Sequence, residues 1–132
     1  MRKKAQEVLN VLGCPDGELS ISIVDDTAIA KLNKKYLNRE GPTNVLAFPM
    51  REGDFSTINS DLLGDVVISI DTVKKEGDLA EITTKERFYQ LLVHGILHLF
   101  GYDHGEPEEA LIMEKKSNNI LGMLNEIDES EN

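Results

Sequence analysis

Apolar residues recur along the 132-residue chain at two periods, and the changeovers between them outline its elements. Val8, Leu9, Val11 and Leu12 fall on one side of an N-terminal helix, which the turn GCPDG (Gly13–Gly17) ends. LSISIV (Leu19–Val24) alternates apolar and polar, the mark of a strand with one wetter face. Asp25, Asp26 and Thr27 offer N-caps for a helix over 27–37 in which Ile29, Leu32 and Tyr36 share a face, broken by Gly41-Pro42. NVLAF (Asn44–Phe48) is a short strand closed by Pro49, and REGDFSTINSD (51–61) is polar and turn-prone, a surface loop.

GDVVISI from Gly64 is β-branched and apolar enough to lie centrally in a sheet. Asp71 is expected to cap a helix over 71–78, and Thr84 stands near the start of the next one. That helix, containing RFYQLLVHGILHLF, lacks proline and is apolar on most faces, so it is expected to be buried. Pro107 suits the first turn of a last helix over 107–124, with Glu108 and Glu109 at its positive end. Leu111, Ile112, Ile120, Leu121 and Leu124 are assigned to its inner side, and the tail NEIDESEN is expected to fray. The order of elements predicts an α+β fold: one small mixed β-sheet of three to four strands packed with about five helices, as a single domain over 1–132.

Chemistry concentrates in HGILHLFGYDH, which holds all three histidines of the chain: His94, His98 and His104. Positions four apart stack on one helix face, so His94 and His98 can aim at a shared atom. Gly101 is placed to leave the helix in a left-handed conformation and to carry Tyr102, Asp103 and His104 back toward the first two. Three imidazoles and an open fourth position are what a catalytic zinc site requires. A closed structural site would call for a fourth ligand, often cysteine, and the one cysteine, Cys14, is distant in sequence. The spacing is also that of the metzincin pattern HExxHxxGxxH, giving a metzincin-like metal helix, but Gly95 stands where the general-base glutamate would be. Peptide hydrolysis by the usual route therefore lacks its base, and would need a carboxylate such as Asp65 or Asp103 in its place.

Composition constrains the setting. No apolar run approaches a membrane span, and Gln6, Glu7 and Asn10 interrupt what would otherwise mimic a lipoprotein signal ending in VLGC. A single cysteine gives no disulfide framework and fits a reducing cytoplasm. The net charge of −10 argues against nucleic acid as a partner, yet 106–132 alone carry −6, while KLNKKYLNRE (31–40) has four basic residues and one acid. From charge alone, Lys31, Lys34 and Lys35 are the wet face of a helix.

HGILHLFGYDH, YLNREGPTNVLAFP upstream and LLGDVVIS between them together resemble the YbeY family of bacterial endoribonucleases and rRNA maturation factors, over about residues 20–124. The resemblance implies that His94, His98 and His104 bind one metal ion, zinc or another divalent transition metal. It implies metal-dependent hydrolysis of single-stranded RNA in 16S rRNA maturation and ribosome quality control. The implied partners are an rRNA substrate and the ribosome or its proteins, with no DNA and no membrane, in the cytoplasm. Family members commonly begin with a strand ahead of the first helix, so the sheet is expected to be one strand short. Many also carry an arginine where this chain has Leu37; Arg39 is the candidate to supply that charge, against the plainer reading of an exposed loop arginine. Asp103 either orients an imidazole or simply forms the turn. Two rivals stand beside the nuclease: a non-catalytic ribosome-assembly factor with a zinc site, and a metzincin-like metallopeptidase.

Overall fold

The computed structural model describes residues 2–50, 61–103 and 105–131, with side chains described as far as residue 127. His104 and nearly all of the 51–61 loop lie outside them. Eight elements follow one another: α1 (Arg2–Val11), β1 (Glu18–Val24), α2 (Asp26–Leu37), β2 (Val45–Pro49), β3 (Leu62–Ser69), α3 (Ile70–Leu79), α4 (Thr84–Leu99) and α5 (Pro107–Glu131). The α+β architecture agrees with the expectation, five helices around one three-stranded sheet among the described residues.

The sheet order is β1-β3-β2, with β3 parallel to β1 and antiparallel to β2. The β-branched run takes the central place because both of its faces are covered. Val66 and Ile68 point into the main core, and Val67 points the other way, against Ile29 of α2 and Leu46 of β2. Pro49 ends β2, where an edge strand tolerates the missing N–H. Gly64 sits at φ +139°, and a Cβ there would come 2.2 Å from the Phe48 carbonyl oxygen, so β2 approaches β3 only because that position has no side chain.

The main core lies on the opposite face of the sheet, where α4 contributes Leu92, Ile96 and Leu97, all fully buried, and α1 and α5 close it with Val8 and Ile120. Asp25 caps α2 by accepting from the Ala28 N–H at 2.8 Å. At the far end Asn38, φ 53°, turns the chain in the left-handed conformation.

Local expectations are corrected at Asp71 and along α5. Asp71 does not cap α3, whose N-cap is Ser69; its carboxylate reaches across and accepts from the Asp26 N–H at 3.0 Å, serving the start of α2 instead. Thr84 opens α4 as expected, and Thr83 caps it, accepting from Glu86 N–H at 3.0 Å. Of the face shared by Ile29, Leu32 and Tyr36, Ile29 is fully buried and Tyr36 is 56% exposed, its ring set edge-to-face with Phe48 and covered by Lys35 Nζ at 5.2 Å. On α5 the buried stripe is Met113, Ile120 and Leu124; Leu111 falls roughly 160° around the helix from Met113 at about 100° per residue, and it and Ile112 are exposed. The helix also continues to Glu131 instead of ending before the acidic tail.

Candidate active site

The sequence of α4 assigns each of its sides a different neighbour. Gly95 faces the sheet so closely that a Cβ would lie 2.7 Å from Val66 Cγ1 and 3.2 Å from Val45 Cγ2. The position that carries glutamate in the metzincin pattern is thus turned into a valine interface, and a carboxylate there would be buried among methyl groups. His94 and His98 are half-buried on an adjoining side, their rings 4.9 Å apart between centroids and inclined at 74°.

Both histidines line an open cleft of about 730 Å³. Leu37, at the end of α2, and Arg39 and Pro42 in the segment after it form another wall, and the first residues of β2 form the floor. Gly101, at φ 95°, turns the chain after α4 as expected and brings Tyr102 and Asp103 to the rim. Arg39, the candidate cation, therefore shares a cavity with the two histidines, and so does Leu37. Of the two carboxylates weighed as substitute bases, Asp103 lines this cleft and Asp65, on β3 opposite Ser20 and Phe48, does not.

The chemistry of the donors can be tested against a metal. Two imidazoles bound through nitrogen at about 2.0–2.1 Å and at a tetrahedral angle place their ring centres roughly 5 Å apart. The observed 4.9 Å fits that requirement, with the rings on successive turns of a helix locked into the core. His104, the third proposed donor, lies outside the described residues, and among the described residues no group of three histidine, cysteine or carboxylate side chains converges.

Sequence reasoning missed a polar chain beside His94. Arg87 donates from Nε (3.0 Å) and Nη2 (2.9 Å) to Glu76 Oε1, and from Nη1 to Gln90 Oε1 at 2.8 Å. Asn44 donates from Nδ2 to the same Glu76 carboxylate, at 3.2 and 3.4 Å. Asn44 is further anchored through its carbonyl, which accepts from Ser69 N–H at 3.0 Å. The available signal was the position of Arg87, seven residues before His94 and so on the same side of the helix.

A family model described as Endoribonuclease YbeY matches residues 1–125. A protein of Geobacter sulfurreducens named Endoribonuclease YbeY is 47% identical over 127 residues, 94% of this chain and 84% of its own length. One of the same name from Syntrophus aciditrophicus is 39% identical over 126 residues, 94% of this chain and 79% of its own. The solution structure of a Thermotoga maritima protein superposes with a TM-score of 0.61 at 24% identity, covering 95% of this chain and 81% of that one, a likeness of fold.

Proposed function

The chain belongs to the YbeY endoribonuclease family, and from that premise we propose that it hydrolyses single-stranded RNA in the His94–His98 cleft with the help of a divalent metal ion, zinc in the first instance. The observation that carries the reading is the meeting in one cavity of two imidazoles at ligand spacing and a candidate phosphate-binding arginine. His94, His98 and His104 would hold the ion. When bound, it supplies electrophilic polarisation of a phosphoryl oxygen and acidification of water near neutral pH. Arg39, exposed at its wall, binds the phosphate through its planar fork and holds the reacting linkage facing α4. Leu37 and Pro42 give that side of the cleft an apolar lining. Asp103, at the rim, orients a histidine or receives a proton from the attacking group.

The biological setting proposed is 16S rRNA maturation and ribosome quality control in the cytoplasm, with the ribosome or its proteins delivering the substrate, since a chain of net charge −10 gains little from long-range attraction to RNA. Among the described residues no helix is long and apolar enough to cross a membrane. The test is metal analysis of the purified protein beside the His94→Ala/His98→Ala/His104→Ala variant, followed by cleavage of labelled single-stranded and duplex RNA. Expected are a bound transition metal lost in the variant, and cutting confined to single strands and lost with the metal. Nuclease activity persisting in the folded triple variant would overturn the assignment, and casein hydrolysis without RNA cleavage would move it to a peptidase.

A further inference from the structure

A second, smaller cavity of about 330 Å³ lies between α4 and α5. It is not separate from the cleft, because His94 and Asn44 belong to the walls of both. Its apolar surface comes from Leu91, buried, and Leu121, partly buried. The remaining lining is polar, with Arg87 its one permanently charged side chain.

The chain of hydrogen bonds around Arg87 decides what this pocket presents. Arg87 has only donors, so Gln90 must turn its carbonyl oxygen toward Nη1, which leaves Gln90 Nε2 to donate elsewhere. The Glu76 carboxylate has only acceptors, so Asn44 must turn its Nδ2 toward it, which leaves Asn44 Oδ1 to accept. The two amides are thereby fixed as one donor and one acceptor, and α5 adds Ser117 and the exposed amide of Asn118. The guanidinium itself is matched by Glu76, which removes the attraction a phosphate would need.

A neutral, flat ligand with an apolar face and a hydrogen-bonding edge suits this lining, and the volume is at the small end for a ligand site. On an RNA strand that ligand is a base. We infer that the α4–α5 pocket is a nucleobase subsite, which takes the unpaired base of a nucleotide adjoining the phosphate in the His94–His98 cleft. Bases in a duplex have their edges engaged and their faces stacked, so filling the pocket selects for single strands. The inference rests on the nuclease reading of the cleft for its substrate but not for its own test.

The test is a titration of ¹⁵N-labelled protein, following side-chain amide resonances, with ribonucleoside monophosphates and with ribose 5-phosphate as the base-free control. Mononucleotides are expected to shift the NH₂ signals of Gln90 and Asn118, and ribose 5-phosphate to leave them in place. Equal shifts from ribose 5-phosphate, or no shift with any of the four mononucleotides, overturn the subsite. In cleavage assays Asn118→Ala, checked for an unchanged melting temperature, should raise KM for single-stranded RNA by about 3- to 10-fold, the worth of one hydrogen bond, and weaken any preference for the base beside the cut. An unchanged KM and preference also overturn it. If mononucleotides bind at these amides but the wild-type protein cuts no RNA, the nuclease reading fails and the pocket stands. Cutting that is insensitive to Asn118, without amide shifts, gives the reverse.

Discussion

Replacing Gly95 by alanine tests the contact that separates this helix from a peptidase's. The new methyl carbon would lie 2.7 and 3.4 Å from the two γ-carbons of Val66 and 3.2 Å from Val45 Cγ2. Val66 is fully buried, and a β-branched side chain on a strand has little rotamer freedom with which to retreat. Overpacking of this kind costs about 1–3 kcal/mol. Alanine in a helix interior recovers about 0.8–1.0 kcal/mol relative to glycine. The net expectation is a loss of roughly 1 kcal/mol, or about 3–5 °C in Tm for a domain of this size.

A sign change makes the test sharper than the single variant. In a Val66→Ala background the closest contact is gone and only Val45 Cγ2 at 3.2 Å remains, so Gly95→Ala should then stabilise, by up to its helix-propensity gain. Urea unfolding of the four proteins, followed by circular dichroism, gives the coupling energy, expected at about 1–3 kcal/mol. If Gly95→Ala stabilises both backgrounds equally, α4 does not press on Val66, and the packing explanation for the missing glutamate is wrong. Gly95→Glu follows the same geometry: its carboxylate would enter the valine interface at a cost of several kcal/mol, and casein hydrolysis would not appear.

Three further outcomes are expected. Asp26 has its pKa lowered by hydrogen bonds from Ser69 Oγ and Thr72 Oγ1, each 2.6 Å, then by Lys75 at 3.2 Å. A carboxylate held below its unfolded value binds fewer protons when folded, so its contribution is present above the ordinary aspartate range near pH 4 and is lost as pH falls through the folded value; Asp26→Asn should flatten the acid limb of a Tm–pH profile and leave its shape above about pH 5 unchanged. Gly64→Ala drives a Cβ to 2.2 Å from the Phe48 carbonyl oxygen at a φ of +139°, and should cost about 3 kcal/mol or more, read as a lowered urea midpoint; a midpoint equal to wild type would show that β2 can move away freely. Arg39→Ala should reduce kcat/KM on single-stranded RNA by about 10- to 100-fold, the worth of a hydrogen bond to a charged group, without shifting Tm, because the side chain is exposed; retained activity would return Arg39 to an ordinary loop residue.

The readings that succeeded rest on short-range regularities. β3 was legible because an uninterrupted β-branched run needs cover on both faces, and α4 because its length, its apolar faces and the four-residue histidine spacing agree. Where elements compete, the pattern under-determines the answer. Asp71 looks like a cap for the helix it begins, but the competing donor is the Asp26 N–H, 45 residues away in sequence. Leu111 and Ile112 are as apolar as Ile120, and only the neighbours of α5 decide which side of it is covered. The chain from Asn44 through Glu76 to Arg87 joins the residue before β2 to two helices, and no period along the sequence links residues 32 and 11 positions apart.

The placement of the histidines follows from the glycine between them. A helix one side chain farther from the sheet would carry His94 and His98 away from the first residues of β2, which make the cleft floor. Close seating at Gly95 therefore does two things with one residue: it removes the carboxylate that peptide hydrolysis requires, and it draws the imidazoles toward the wall that carries Arg39 and Leu37. Arg87 and Gln90 share the smaller pocket with Asn44, the residue before β2. The histidine spacing of a peptidase helix is in this way retained on a surface that sets Arg39 among the carboxylates of Glu40 and Asp103 and continues into a pocket lined by amides, without the glutamate that peptide hydrolysis uses.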